Sequence, residues 1–147
     1  KIFKKKISDE NINNLIKNFD IIVDGSDNFK TKFLLNKFSI KHKKILIVGA
    51  ISKFDGHVFT FDFKSKNEPC LKCFYQSEPS DDILNCEAEG ILGPVAGVVG
   101  SIQSIEVLNK ILKIGKNNNG TILIINLSDL NFRKVKFSKK PNCICTK

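Results

Sequence analysis

The sequence of 147 residues contains no methionine and no tryptophan. Because translation ordinarily begins at methionine, we expect that Lys1 is not the natural start and that another segment precedes it. The remaining composition, 41% hydrophobic and 27% charged residues, is typical of a folded chain, and the length suits a single domain. We therefore expect part of one globular domain.

Long uninterrupted apolar runs are also missing. The longest candidate, residues 91–102, contains glycines and a proline and is shorter than the roughly 18 residues that a membrane-spanning helix needs. The basic segment 1–6 leads into polar residues and not into the apolar core of a secretory signal. We therefore expect neither secretion nor a membrane partner.

Arginine is nearly absent, since Arg133 is the only one. The 24 basic residues outnumber the 15 acidic ones and give a net charge of +9, a surplus that can attract nucleic-acid phosphates. The guanidinium group, which contacts phosphate or guanine through two hydrogen bonds, is however the group that this chain lacks. We interpret the surplus as a solvated lysine surface and expect no nucleic-acid partner.

Five cysteines form two pairs, Cys70-x-x-Cys73 and Cys143-x-Cys145, and a single Cys86. An odd number in this pattern is not typical of a secreted disulfide framework, so we expect a reducing cytoplasm. Two distant thiol pairs commonly complete one tetrahedral zinc site, although the second pair has one intervening residue where two are usual. The spacing favours zinc over a set of free thiols.

Apolar periodicity predicts how the chain begins. A helix over residues 12–19 precedes a buried strand over 21–23, and a helix over 29–42 leads into a second buried strand over 44–51. This order is a βαβ unit, which predicts a parallel sheet with ligand chemistry at the carboxyl ends of its strands.

The second part of the chain continues the α/β pattern. Residues 57–63 alternate in polarity and predict a half-buried strand, antiparallel to its neighbour. A long amphipathic helix follows Pro94, and we expect Gly97 and Gly100 to let it pack closely on the sheet. Two final strands are predicted over 121–127 and 132–137.

Residues 68–93 show little periodicity and exceed the usual length of connections in compact domains. Such lengths are typical of functional lids and crossover loops, so we expect chemistry there. Within this segment, Cys86 stands beside Glu87 and Glu89, whose carboxylates raise the pKa of a thiol. The local sequence therefore gives no sign that Cys86 is activated.

Two carboxylates follow the first predicted strand. Asp24 and Asp27 flank Gly25 at a carboxyl end, an arrangement that suits a magnesium ion with a phosphate ligand. The alternative, which spacing alone favours, is helix capping by Ser26 or Asp27. Neither common glycine-rich phosphate loop occurs in the sequence, so a phosphate cradle would lie elsewhere.

Several motifs in one order resemble the ThiF/MoeB/HesA family, the adenylyltransferases of thiamine and molybdopterin biosynthesis, which are related to ubiquitin-activating enzymes. The motifs are DGSDNF (24–29), VGAI (48–51) with FDGHV (54–58), PCxxCF (69–74), CEAEGILGP (86–94) and GVVGSIQSIE (97–106). The resemblance runs from about residue 19 to the end. It is carried by their order as much as by any single motif.

The resemblance implies a Rossmann-like α/β fold with a mixed, mainly parallel sheet, flanking helices and a cysteine-containing crossover loop. It implies that residues 1–147 are one incomplete domain, because the preceding half in this family carries the glycine-rich nucleotide loop. The zinc-binding and crossover part would comprise residues 68–93 together with the tail 141–147.

The resemblance also implies an activity. In this family, with ATP and Mg²⁺ bound, the C-terminal glycine carboxylate of a small ubiquitin-like sulfur carrier attacks the α-phosphate and gives an acyl-adenylate. We therefore expect the full-length protein to be a nucleotidyltransferase of molybdopterin or thiamine biosynthesis. The expected cofactors are ATP, Mg²⁺ and Zn²⁺, the expected partners are the sulfur carrier and a second copy in a homodimer, and this fragment alone is expected to be inactive.

Individual residues match the family pattern. Asp27 corresponds to the aspartate that binds magnesium and ATP, with Asn28 beside it at the nucleotide. Lys32 stands where the family often has arginine. Cys86 corresponds to a cysteine that in some members links covalently to the carrier. The residues that correspond to the zinc thiolates are Cys70, Cys73, Cys143 and Cys145.

Two other interpretations stay open. One is a non-catalytic carrier-binding module, or half of a heterodimeric activating enzyme whose partner supplies the nucleotide loop. The other is a dehydrogenase domain of the NAD type, which is suggested by the α/β pattern alone.

Overall fold

The computed structural model describes residues 2–79 and 90–146, so Cys86 lies outside the described residues. The described helices are α1 (Ile12–Ile16), α2 (Phe29–Lys41), α3 (Leu71–Tyr75) and α4 (Gly93–Leu112). The strands are β1 (Ile21–Asp24), β2 (Ile45–Ser52), β3 (Asp55–Asp62), β4 (Thr121–Asn126) and β5 (Asn131–Lys136). A 3₁₀ turn at Ile144–Thr146 lies near the end of the chain.

The strands form one five-stranded sheet in the order β1-β2-β3-β4-β5. This confirms the α/β class and the mixed sheet with flanking helices, and β1-α2-β2 is the predicted βαβ unit. The expectation of a mainly parallel sheet was wrong for the described strands, because only β1 and β2 pair in parallel. β2 and β3 are joined by residues 53–54, and so short a connection joins only antiparallel strands.

Both faces of the sheet are covered, so its central strands are buried on both sides. β2 alternates between the two cores: Leu46 and Val48 belong to one, Ile45 and Ile47 to the other. β3 is likewise buried on both faces, where the sequence predicted a half-buried strand. The first core is shared with α1, α2 and α3, and the second lies under α4. β2 accordingly has the continuous apolar run that is typical of a strand buried on both faces, whereas β3 keeps polar residues within its sequence.

The close approach of α4 to the sheet depends on glycines of the strands. A Cβ atom at Gly56 would lie 2.4 Å from a side-chain atom of α4, and one at Gly49 would lie 2.7 Å from Gln103 Oε1. Among the residues that the structure describes, a Cβ atom at Gly97 or Gly100 would meet nothing within 4 Å. The expectation that Gly97 and Gly100 allow close packing was therefore wrong, because both face open space.

α4 is long and apolar enough, by length and composition alone, to cross a membrane. The sequence-based interpretation treated its glycines and proline as interruptions, but the helix runs through them. Pro94 lies in the first turn, where its missing N–H sacrifices no helical hydrogen bond. One face of α4 packs on β2 and β3, as core helices with the same composition do. Its composition is therefore no specific sign of a membrane.

Candidate functional site

The turn between β1 and α2 is built by local hydrogen bonds. Asp24 Oδ1 accepts from the backbone N–H of Ser26 at 2.9 Å and from its hydroxyl at 2.6 Å. Asn28 Oδ1 accepts the backbone N–H of Thr31 at 2.8 Å and so caps α2. The prediction that Ser26 or Asp27 caps this helix was therefore wrong, and the Asp27 carboxylate is not used by the helix.

Asp27 is exposed at the edge of a pocket. Its Oδ1 accepts from Asn28 Nδ2 at 3.0 Å, and this hydrogen bond is the main reason that the pKa of Asp27 lies below its ordinary value. The backbone N–H of Asp27 itself and the charges of Lys32 and Lys6 also lower this pKa, whereas partial burial raises it. Asp27 is therefore ionised at neutral pH with accessible oxygens, which is the form of a carboxylate that binds Mg²⁺.

A buried ion pair lies beneath the turn. Lys32 Nζ donates to Asp24 Oδ2 at 3.1 Å and to the carbonyl oxygens of Ser26 and Gly49, each at 2.6 Å. The two charged side chains are 2% and 1% exposed. An ammonium group has three N–H donors, so all three are used inside the protein. This geometry favours a positioning role for Lys32 over direct contact with a nucleotide.

α4 contacts β1 and β2 from the opposite face of the sheet. Gln103 Nε2 donates to the carbonyl oxygen of Asp24 at 2.9 Å and to that of Ile47 at 3.4 Å. The missing side chain of Gly49 leaves the space in which this amide lies. Side chains from α2 and α4 therefore fix the carboxyl end of β1 to the middle of β2, which pairs with it there.

The pocket opens over this hydrogen-bonded network. It is bounded by the turn after β1, the end of β2 and the first turns of α4. Its lining is formed largely by small residues, among them Gly25, Gly49, Ala50, Ala96 and Gly100. Since small side chains let a ligand approach the backbone closely, the pocket combines accessible main chain with one ionised carboxylate.

Four cysteine sulfurs form a second polar centre, at α3 and the C-terminal tail. All four Sγ atoms of Cys70, Cys73, Cys143 and Cys145 lie within 4.8 Å of one another. The Cys70 and Cys143 sulfurs are 3.5 Å apart, as are those of Cys73 and Cys145. With Zn–S bonds of about 2.3 Å, tetrahedral geometry separates the sulfurs by about 3.8 Å. The donor set and its spacing therefore fit one Zn²⁺ ion, and the single residue between Cys143 and Cys145 does not prevent this.

Without a cation, three of these thiols differ in how their surroundings shift their pKa values, and two of the three are held in the neutral form. Burial, reinforced by the charge of Cys73, raises the pKa of Cys70 to about 12. Burial and the charge of Cys70 also raise the pKa of Cys145. Burial acts in the same sense on Cys143, but hydrogen bonds from the Cys145 backbone and the neighbouring thiols outweigh it and lower the pKa. A divalent cation reverses this situation because it binds thiolates.

Residues 1–146 match the ThiF family. The chain belongs to the ThiF family. It is 32% identical over 141 residues to the probable molybdopterin-synthase adenylyltransferase of Gracilaria tenuistipitata var. liui, covering 96% of this chain and 39% of that protein. It is 32% identical over 142 residues to the sulfur carrier protein adenylyltransferase of Thermus thermophilus, covering 94% of this chain and 52% of that protein. The ThiF chain therefore spans about two-fifths and about half of these two relatives.

Solved structures of E. coli MccB share the fold of this chain. E. coli MccB superposes with a TM-score of 0.76 at 13% identity and covers 98% of this chain and 43% of its own. MccB with ATP superposes with a TM-score of 0.69 at 15% identity, covering 87% and 39%. At this identity the likeness concerns the fold, and it agrees with the Rossmann-like architecture expected from the sequence.

The site residues predicted from the sequence of this ThiF chain fall into three groups. Asp27 and Lys32 line the pocket, Lys32 through its buried side chain, and Asn28 contacts Asp27 from the start of α2. The four paired cysteines meet in one cluster. Cys86 lies outside the described residues. Sequence reasoning missed Gln103 and the internal pairing of Asp24.

Proposed function

We propose that the full-length protein is an ATP-dependent adenylyltransferase acting on the C-terminal glycine of a small ubiquitin-like sulfur carrier, in molybdopterin or thiamine biosynthesis. In this reaction an oxygen of the carrier carboxylate bonds to the α-phosphorus of ATP. The bond from that phosphorus to the bridging oxygen breaks, and pyrophosphate leaves with the electron pair. The observation that carries the proposal is the accessible, ionised Asp27 at a pocket over the carboxyl ends of β1 and β2, in a ThiF family chain.

We assign a separate role to each polar residue at or near the pocket. Asp27 holds the Mg²⁺ ion, which supplies positive charge against the phosphates when it is bound. Asn28 orients the Asp27 carboxylate with its Nδ2 group while its Oδ1 keeps the start of α2 in place. Lys32 neutralises Asp24 and holds the turn that carries Asp27. Cys86, in the proposal, is the residue that links covalently to the carrier.

The four clustered cysteines hold Zn²⁺ in this proposal. Four thiolates fill a tetrahedral coordination sphere and leave no open position, so the ion is structural. It connects the segment 68–93 to the tail 141–147 across more than seventy residues of intervening chain. Five cysteines arranged as two pairs and a single residue are not typical of a secreted disulfide framework, which supports the cytoplasm as the location.

Carrier-dependent exchange of radiolabelled pyrophosphate into ATP tests the adenylyltransferase. We expect Asp27→Ala in the full-length protein to reduce the exchange rate by about 100-fold, a magnitude typical of losing one group that stabilises transition-state charge. Asp129→Ala, at an exposed turn between β4 and β5, is the matched control and should leave the rate unchanged. Unchanged exchange in Asp27→Ala would contradict the role of this carboxylate.

We also propose a homodimer that uses the outer face of α4. Between Gly93 and Asn109 the only charged residue is Glu106, which is buried, although the chain as a whole has a net charge of +9. Ile105, Leu108 and Ile111 on this helix are 55%, 48% and 60% exposed. An uncharged apolar face is where two copies of a strongly basic chain can approach without repulsion.

Sedimentation of the full-length protein tests this interface. We expect Leu108→Lys to convert the dimer into a monomer, since it places two like charges in an apolar contact. Leu130→Lys is the control, because Leu130 is 76% exposed but lies on the turn before β5. A Leu108→Lys protein that stays dimeric would exclude the α4 face.

The alternative function is a non-catalytic carrier-binding module, or half of a heterodimeric activating enzyme. It is favoured by one observation: every donor of the Lys32 ammonium is used internally, so this cation is not available to phosphate. This alternative predicts that calorimetry detects carrier binding while pyrophosphate exchange is absent in the full-length protein.

A further inference from the structure

Asn36 presents an unpaired donor in the interior of the protein. It lies on the buried face of α2, one helical turn after Lys32, and is 0% exposed. Its Oδ1 accepts the backbone N–H of Leu71 at 3.0 Å. Because the oxygen is committed to a donor, the orientation of the amide is defined. Within the described residues, its Nδ2 has no hydrogen-bond partner.

A buried donor without an acceptor is costly and uncommon in native proteins, so its surroundings should contain the missing partner. Leu71 directly follows Cys70, so the Asn36 amide that binds the Leu71 N–H lies next to the first cysteine of the cluster. A neutral thiol is a weak acceptor, whereas a thiolate accepts strongly.

Another sulfur of the cluster already has a donor of this kind. The backbone N–H of Lys140 donates to Cys73 Sγ at 3.4 Å. Asn36 Nδ2 is a buried N–H group without a partner among the described residues, and the same amide binds the backbone N–H of Leu71, the residue next to Cys70. Ligand atoms of metal sites are commonly oriented by hydrogen bonds from residues that do not themselves touch the ion.

We propose that Asn36 is a positioning residue of the zinc site, donating from Nδ2 to Cys70 Sγ when that sulfur is a zinc-bound thiolate. The proposal rests on the zinc site proposed above. One amide then performs two tasks, because its oxygen fixes the first turn of α3 while its nitrogen offsets charge on the first cysteine of the cluster.

Zinc affinity distinguishes these two tasks. Asn36→Asp retains an oxygen for the Leu71 N–H but replaces the donor with a carboxylate beside the thiolates. We expect this variant of the full-length protein to bind Zn²⁺ about 10- to 100-fold more weakly in competition with a chromophoric chelator. Asn14→Asp, at an exposed position of α1, makes the same charge change and should bind zinc like the wild type. In the cobalt-substituted proteins, the sulfur-to-metal charge-transfer band should move in Asn36→Asp only.

A wild-type measurement keeps the proposal testable if Asn36→Asp does not fold. We expect zinc addition to shift one side-chain NH₂ proton resonance of Asn36 and to slow its exchange with solvent. Wild-type protein that binds no zinc would overturn the zinc site and this inference together. Wild-type protein that binds zinc with no change at the Asn36 amide, or an Asn36→Asp protein of unchanged affinity, would overturn the inference alone.

Discussion

The pocket at the strand ends and the cysteine cluster differ in how their polar groups are satisfied. At the pocket, the Lys32 ammonium uses all three donors and Asp24 uses both carboxylate oxygens, entirely within the protein. At the cluster, four thiols lie against one another and the Nδ2 group of Asn36 has no partner in the described residues. The first network is complete as it stands, whereas the second has the composition of a site that an ion completes.

The difference between the pocket and the cysteine cluster predicts that the largest loss of stability follows substitution of Lys32. Lys32→Met leaves the Asp24 carboxylate buried without its counter-charge and should lower the free energy of unfolding by about 3 to 5 kcal/mol. Lys37 provides a control on the same helix, since it pairs with Asp9 at 2.9 Å but both side chains are more than 60% exposed. Lys37→Met should change the free energy of unfolding by less than about 1 kcal/mol.

Urea unfolding followed by circular dichroism measures both variants. The loss in Lys32→Met should be the same with and without zinc, because the cysteine cluster shares no residue with the pocket network. Equal stability of the two variants would show that the buried pair does not hold the strand ends.

The second prediction concerns zinc. Free zinc at 100 times its dissociation constant should raise the free energy of unfolding by about 2.7 kcal/mol, because only the folded cluster offers four thiolates together. Cys143→Ser should lose most of this gain, and Lys32→Met should retain it. Thermal unfolding in zinc and in chelator measures the difference. A gain that survives in Cys143→Ser would place the ion elsewhere.

The smallest changes in stability are expected at two glycines, of which Gly49 is crowded by a neighbouring side chain and Gly97, within the described part of the chain, is not. Gly49→Ala places a Cβ atom 2.7 Å from Gln103 Oε1, displaces that amide from the Asp24 carbonyl oxygen and should reduce stability by about 1 kcal/mol. Gly97→Ala adds a methyl group in open space on an exposed helix and should increase stability by about 0.5 to 1 kcal/mol. Urea midpoints with the same sign of change for both would contradict the assigned packing of α4.

Local patterns were sufficient for part of this structure. The periodicity of residues 29–42 predicted α2 because its apolar residues repeat every turn, and the two cysteine pairs predicted a cluster because thiol spacing is a short-range signal. The motif around Asp27 likewise placed a carboxylate after a strand. The helix and the carboxylate depend on residues that are neighbours in the sequence, as does each cysteine pair, although the meeting of the two pairs is a long-range contact.

Other features depend on contacts that no local pattern encodes. Lys32 was expected at the nucleotide, and its burial depends on Asp24 and on the Gly49 carbonyl of the next strand. One signal was available, since Lys32 shares a helix face with Leu35 and Asn36, three and four residues further on. The outward orientation of Gly97 could not be predicted, because it depends on which face of α4 meets the sheet.

The order of polar residues along α2 constrains how this helix can change in evolution. Lys32 and Asn36 lie four residues apart on one ridge of the helix, and Asn28, the N-cap, lies four residues before Lys32. An insertion or deletion of one residue between them would rotate the following part by about 100° and shift it by about 1.5 Å. A change before Lys32 would move both Lys32 and Asn36 relative to Asn28. A change between Lys32 and Asn36 would move Asn36 alone. Substitutions on the solvent face of α2 are compatible with this arrangement, whereas a change in length between Asn28 and Asn36 is not.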